Sequence, residues 1–162
     1  MAKGNCIVVE ANPRGKFCEG IVSGTPYPGT TMQIKAATEP VGGRFTYEAY
    51  NRDADGNHPQ GPLYVLCEDK LQGKTATDAY ADGDRCFLYC PLAGDELNVL
   101  VSAAGTSTGD SQAIGSLLIV NDGDGTCVAT TGSPESEPFC VMETVADVTV
   151  AGTLVWVRYT GY

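Results

Sequence analysis

Glycine and proline interrupt this chain so often, twenty and nine times in 162 residues, that no long helix fits between them. What lies between the breaks is short, apolar and in places alternating. Met32, Ile34 and Ala36 alternate with Thr31, Gln33 and Lys35, and Phe45, Tyr47 and Ala49 alternate with Thr46, Glu48 and Tyr50. A period of two sends successive side chains to opposite faces, so each run predicts a strand with one wet face. The chain is organised around residues 114–145. There Leu117–Val120 is broken by Asn121-Asp122-Gly123-Asp124-Gly125, resumes at Cys127–Ala129, breaks at two prolines and resumes over residues 139–145. Asn, Asp and Gly tolerate positive φ and hydrogen-bond their own backbone, which makes a tight reversal cheap. The segment predicts a meander of short antiparallel strands.

The remaining chain fits the same pattern. Residues 6–9 are an apolar run closed by Asn12-Pro13 and Gly15, a short strand or an arm. Pro26 and Pro28 stiffen the loop that follows Ile21-Val22. Residues 51–62 form a polar, Gly/Pro-rich loop of the length that often carries function, and residues 103–112 a small, polar surface loop. Residues 63–67 read as an almost uniformly apolar strand, and residues 68–80 hold the one helix candidate, a turn or two interrupted by Gly73. Residues 86–91 and 97–101, joined at Ala93-Gly94-Asp95, predict a hairpin. Val148-Thr149-Val150 and residues 154–159 are expected to pair around Ala151-Gly152, and apolar residues on both faces of the last strand predict burial on both sides. Nine or ten short strands at regular spacing predict an all-β fold, a small antiparallel β-sandwich or partly open β-barrel with minimal helix. The length and 43% apolar content suit one core, so residues 21–162 are expected to be a single β domain behind an extended segment at 1–20.

Charge and cysteine usage narrow the function. With 20 acidic and 10 basic residues and a net charge of −10, the surface repels phosphate backbones, so nucleic acid is not an expected partner. No segment approaches the apolar length of a signal peptide or a membrane span, which implies no membrane partner and synthesis in a cytosol. Seven cysteines (Cys6, Cys18, Cys67, Cys86, Cys90, Cys127, Cys140) sit in strand-like contexts and are expected to be reduced, buried small hydrophobes.

Several constellations invite chemistry and fail on spacing. Leu71-Gln72-Gly73-Lys74-Thr75 ends like a phosphate-binding loop, but Glu68 stands where the first glycine belongs and its carboxylate would repel phosphate. Asp53-Ala54-Asp55-Gly56-Asn57 starts like a calcium loop, but the sixth position is His58 and the twelfth Tyr64. The Asn121–Gly125 run is explained by its turn alone. Cys86 and Cys90 lie roughly 13 Å apart along a strand, too far for one zinc. His58 is the single histidine and has no nucleophile signature to serve. No catalytic site, cofactor or metal is therefore expected. Tyr27, Tyr47, Tyr50 and Tyr64 are either a glycan platform or core and interface aromatics.

The Gly-x-Leu-Leu entry to a strand, the Asp-Gly reversal, the Pro-bounded loop and the strand ending in Met142-Glu143-Thr144-Val145 together resemble the carboxy-terminal half of tailed-bacteriophage head decoration proteins, also called cement or auxiliary capsid proteins. The segment Pro91-Leu92-Ala93-Gly94-Asp95-Glu96-Leu97 and the terminal Leu154-Val155-Trp156-Val157-Arg158-Tyr159 fit the same pattern, so the resemblance covers residues 85–162. It implies a non-enzymatic virion protein on the outer capsid surface, a homotrimer that braces the shell across neighbouring subunits of the major capsid protein. A glycan-binding β module, adhering to host or mucus, is the alternative. For the capsid contact the resemblance points to an N-terminal arm built on Cys6, Ile7, Val8 and Val9 with Pro13 and Arg14 at its joint. The same four residues also fit a strand of the chain's own sheet.

Overall fold

The computed structural model describes residues 6–11, 14–36, 38–51, 62–102, 110–121, 123–129, 138–149 and 152–161. Pro13, His58, the run 53–57 and the segment 103–109 lie outside the described residues. The strands are β1 (Val8–Glu10), β2 (Lys16–Val22), β3 (Thr31–Ile34), β4 (Thr46–Ala49), β5 (Tyr64–Leu66), β6 (Arg85–Cys90), β7 (Glu96–Val101), β8 (Asp110–Gln112), β9 (Leu117–Val120), β10 (Cys127–Ala129), β11 (Phe139–Val141), β12 (Val145–Val148) and β13 (Thr153–Tyr159). Within the helix candidate only Lys70–Gln72 is helical, as one 3-10 turn. Asp69 caps it by accepting from the Leu71 and Gln72 amides, and Gly73 ends it at φ 72°.

The strands close into two small five-stranded barrels. The first runs β2-β4-β3-β5-β6 and the second β7-β10-β9-β11-β13, sealed by β13 on β7 from Thr153↔Val101 to Arg158↔Glu96. Pairing is antiparallel apart from β2–β4 and the single β10–β7 contact at Cys127↔Val101. β1 adds to β7 at Val8↔Leu97, and β8 and β12 form a separate two-stranded ribbon. The all-β expectation with minimal helix holds, with closure taken further than a partly open barrel. The boundary between residues 20 and 21 lies within β2, and Pro13 of the expected joint lies outside the described residues.

Three local pairings differ from the sequence expectation, each for want of a free edge. β6 and β7 are not a hairpin, because β6 already lies between β2 and β5, while β7 has β13 on one side and β1 and β10 on the other. The turn between them instead carries the chain from one barrel to the other. It is locked by the Asp95 carboxylate, which accepts from the Leu92 amide and from the Tyr89 hydroxyl, both at 2.7 Å. β11 pairs with β9 and β13 and not with β10, so residues 114–145 are not a simple meander. β13 is held by β7 and β11, which leaves β12 to pair with β8.

The uniformly apolar strands are explained by the two barrels together. Leu66 of β5 and Cys86 and Leu88 of β6 point into the first barrel with Val22, Met32, Tyr47 and Tyr80. Their outward neighbours Val65, Cys67 and Tyr89 pack on the second barrel's core of Leu97, Val99, Val101, Leu118, Phe139, Val155 and Val157. Both faces of these strands are thus buried, so alternation disappears from their sequence. In β13, Val155, Val157 and Tyr159 are buried and Leu154 and Trp156 half-buried. Two glycines join the barrels. Gly125 (φ 66°) gives its carbonyl to the Thr31 amide at 2.8 Å, and a Cβ there would stand 2.3 Å from the Thr31 carbonyl oxygen. The Gly29 carbonyl accepts from the Leu100 amide at 2.9 Å, and a Cβ on Gly29 would stand 2.5 Å from Leu154 Cδ2.

Candidate interaction surface

The N-terminal residues are built into the chain's own sheet. Ile7 is fully buried in the second barrel's core; its amide donates to Glu68 Oε2 (3.0 Å) and its carbonyl accepts from the Asn98 amide (2.7 Å). The Cys6 carbonyl accepts from Asn98 Nδ2 (2.7 Å), and its thiol donates to the Val8 carbonyl (3.2 Å). Val8 and Val9 are half-buried and Arg14 is exposed. Among the described strands β1 is paired on one side only, by β7.

Beside β1 lies a wall made by β2, β6 and the 3-10 turn, which sequence reasoning missed. Phe17 is 60% exposed and its ring lies 4.8 Å from that of Tyr89. Val8, Phe17, Cys67, Glu68, Lys70 and Phe87 line a hollow of about 320 Å³. A second hollow of about 340 Å³ shares Phe87 and is bordered by Glu19, Leu71 and Arg85. Leu71 is 95% exposed, yet its turn is held firmly. Asp69 receives the Leu71 amide at 3.0 Å and the Gln72 side chain, and the backbones of Asp69 and Lys74 bond each other in both directions. Glu19 links Arg85 and Arg44, at 2.9 and 3.0 Å, and the two guanidiniums, Arg85 first, hold its carboxyl below the usual range. Leu71 was legible as a lone apolar residue among Asp69, Lys70 and Gln72, and Phe17 as an aromatic between Lys16 and Glu19.

The other candidate residues are occupied structurally. Lys74 of the phosphate-loop mimic donates to the Ala79 carbonyl (2.8 Å) and pairs with Asp84 (3.4 Å). Asp124 accepts from both the amide and the hydroxyl of Thr126, at 2.8 and 2.7 Å, and from Asn121, which closes the β9–β10 turn. The four tyrosines form no exposed platform: Tyr47 and Tyr50 are buried, Tyr64 packs edge-on against Tyr47, and Tyr27 alone is well exposed. The cysteines are unpaired; Cys67, Cys86 and Cys127 are buried, and burial pushes the Cys86 thiol up to about 12. Among the described residues no group of three or more His, Cys, Asp or Glu side chains is placed to hold a metal ion.

No protein-family model matches the chain, and no curated protein matches it by sequence. A solved structure does match. The chain is similar to the N-terminal base of the head fiber gp8.5 of bacteriophage phi29, with a TM-score of 0.53, 12% identity, and coverage of 90% of this chain and 94% of that one. At that identity the likeness is one of fold. It spans both barrels.

Proposed function

We propose that this chain is a non-enzymatic structural protein of a tailed-phage head, seated on the outer capsid surface, where it decorates and braces the shell across neighbouring major capsid subunits as a homotrimer. The observation that carries this reading is the fold likeness to a phage head-fiber base over nearly the whole length of both chains. The decoration-protein resemblance of residues 85–162, reached from residues alone, points to the same particle. In this reading the capsid contact stays with the segment Cys6–Arg14, in a changed form. Ile7 serves the chain's own core, so a capsid strand adds to the outer edge of β1, with Arg14 beside it.

The test is to incubate the purified chain with expanded heads lacking surface proteins and to image the particles. Saturable binding with density at fixed symmetry positions on the outer surface is expected. Absence of binding overturns the reading, and binding to a glycan panel without binding to heads replaces it with the glycan module.

A further inference from the structure

We propose that the wall of the first barrel is the surface through which copies of this chain associate, with Leu71 of one copy seated in the Phe17–Phe87 hollow of the next. This names the contact behind the trimer of the proposed function and rests on that reading. Three observations carry it, and none involves the capsid.

The first is the distribution of charge. Residues 91–162 hold nine acids and one base, Arg158, a net of −8, whereas residues 1–90 hold eleven acids and nine bases, a net of −2. Copies that meet through their second barrels set like charges together; copies that meet through the first barrel keep those charges apart. The second observation is the apolar content of the wall. Leu71 is 95% exposed and Phe17 60% exposed, a pattern that marks an interaction site more than a solvated face. Because the capped 3-10 turn fixes the backbone under Leu71, little conformational freedom remains to be lost when that side chain is buried. The hollow beside it, about 320 Å³, is large enough for a leucine side chain.

Charge around knob and hollow is the third observation. The hollow carries Lys70, which forms no ion pair among the described residues, and Glu68. The knob is flanked by Glu19 and Arg85. Each rim holds both signs; Arg85 is bound to Glu19 and Glu68 to the Ile7 amide within their own copy, so the charge matched across the contact is Lys70 of one copy against Glu19 of the next. Knob and hollow are different patches on one wall, so the contact can repeat head-to-tail, the arrangement that closes into the three-membered ring of the proposed function.

Sedimentation velocity over a concentration series, at low and high salt, tests the proposal with the full chain, Leu71→Asp, Phe17→Asp and the second-barrel control Ile114→Asp. The control sits at a side chain 66% exposed. The wild type is expected to associate, and less strongly at high salt, where the attraction between the oppositely charged rims is screened. Leu71→Asp and Phe17→Asp are each expected to weaken association at least about tenfold, with unchanged circular dichroism, while Ile114→Asp leaves it intact. A wild type that stays monomeric at every concentration and salt overturns the proposal, as does association that only Ile114→Asp disrupts. Head binding measured in parallel separates the two ideas. Loss of head binding by a monomeric Leu71→Asp, with a monomeric wild type, assigns the wall to the capsid and overturns the self-contact; association without any head binding keeps the contact and overturns the capsid reading.

Discussion

The two barrels share a strand count and a closed topology, yet they are filled and faced differently. Inside the first barrel are tyrosines with polar ends as well as aliphatics: the Tyr80 hydroxyl donates to the Cys67 carbonyl at 2.9 Å, and the Tyr47 hydroxyl lies 3.7 Å from the Cys18 sulfur. The second barrel is filled by valine and leucine around Phe139, and it borrows Val65, Cys67 and Tyr89 from the first. Its core is therefore incomplete alone, whereas the first barrel closes over its own seven buried side chains. On the outside the asymmetry runs the other way. The first barrel shows apolar side chains and balanced charge, and the second is acidic. The proposed self-contact thus falls on the first barrel, while β1 and most of the net charge belong with the second.

The sharpest way to break this arrangement is to push the barrels apart. Gly125→Val places a side chain 2.3 Å from the Thr31 carbonyl oxygen and 2.7 Å from Thr30 Cγ2, at a φ of +66° that a β-branched residue strongly disfavours. A loss of about 3–5 kcal/mol is expected, with unfolding split into two transitions. Trp156, the single tryptophan, reports the second barrel in urea titrations. An unchanged midpoint would show that the Gly125 contact does not hold the barrels together.

A pair of core truncations sharpens the same comparison. Met32→Ala in the first barrel and Leu118→Ala in the second each remove a fully buried side chain and are expected to cost about 2–5 kcal/mol. Since the second core leans on the first barrel, Met32→Ala is expected to lower the midpoint seen by Trp156 fluorescence as well. If that midpoint stays put, the two barrels unfold independently. Tyr89→Phe is expected to do less, about 1–2 kcal/mol, by removing one donor from the Asp95 carboxylate that locks the crossing turn.

How far the fold was legible in the sequence follows from the same asymmetry. The strands Thr31–Ile34 and Thr46–Ala49 announced themselves by alternation, but their burial does not alternate: Thr31 and Thr46 are buried beside Met32 and Tyr47, while Ile34 and Phe45, expected on the dry face, are exposed. Partners were not announced, because pairing depends on which edges are already occupied. Residues 86–101 carry every local sign of a hairpin, and what prevents one is β2, β5, β13 and β1, residues far away in the chain. The second barrel was hidden for a related reason: its boundary is a five-residue turn, with no linker composition to mark it. Its charge was nonetheless in plain view, since nine of ten bases precede residue 91. At the candidate surface, the short run of Cys6, Ile7, Val8 and Val9 was visible as an extended segment, either a strand or an arm. Its neighbours Phe17, Leu71 and Phe87 come from three separate elements, and only folding gathers them.

The smallest expected effect separates the barrels by pH. In the first barrel, Arg85 and then Arg44 hold Glu19 below the usual carboxylate range, the Thr75 hydroxyl and amide do the same for Asp78, and the Ala81 amide for Asp84. A carboxylate whose pKa is depressed by folding contributes stability above its unfolded value, near about 4, and that contribution is lost as pH falls through the lower folded value. All three groups are exposed or nearly so, and solvent screening keeps their contribution small. Against this loss, protonating the acids of residues 91–162 relieves self-repulsion in the second barrel. The urea midpoint is therefore expected to fall only slightly as pH is lowered from about 5 to about 3 at low salt. High salt screens this relief and the exposed Glu19 ion pairs alike, so the profile is expected to flatten. Glu19→Gln removes the share owed to Arg85 and Arg44 and is expected to flatten the profile in both salts. A midpoint that rises in acid at low salt would show that repulsion among the second barrel's acids outweighs the ion pairs of the first.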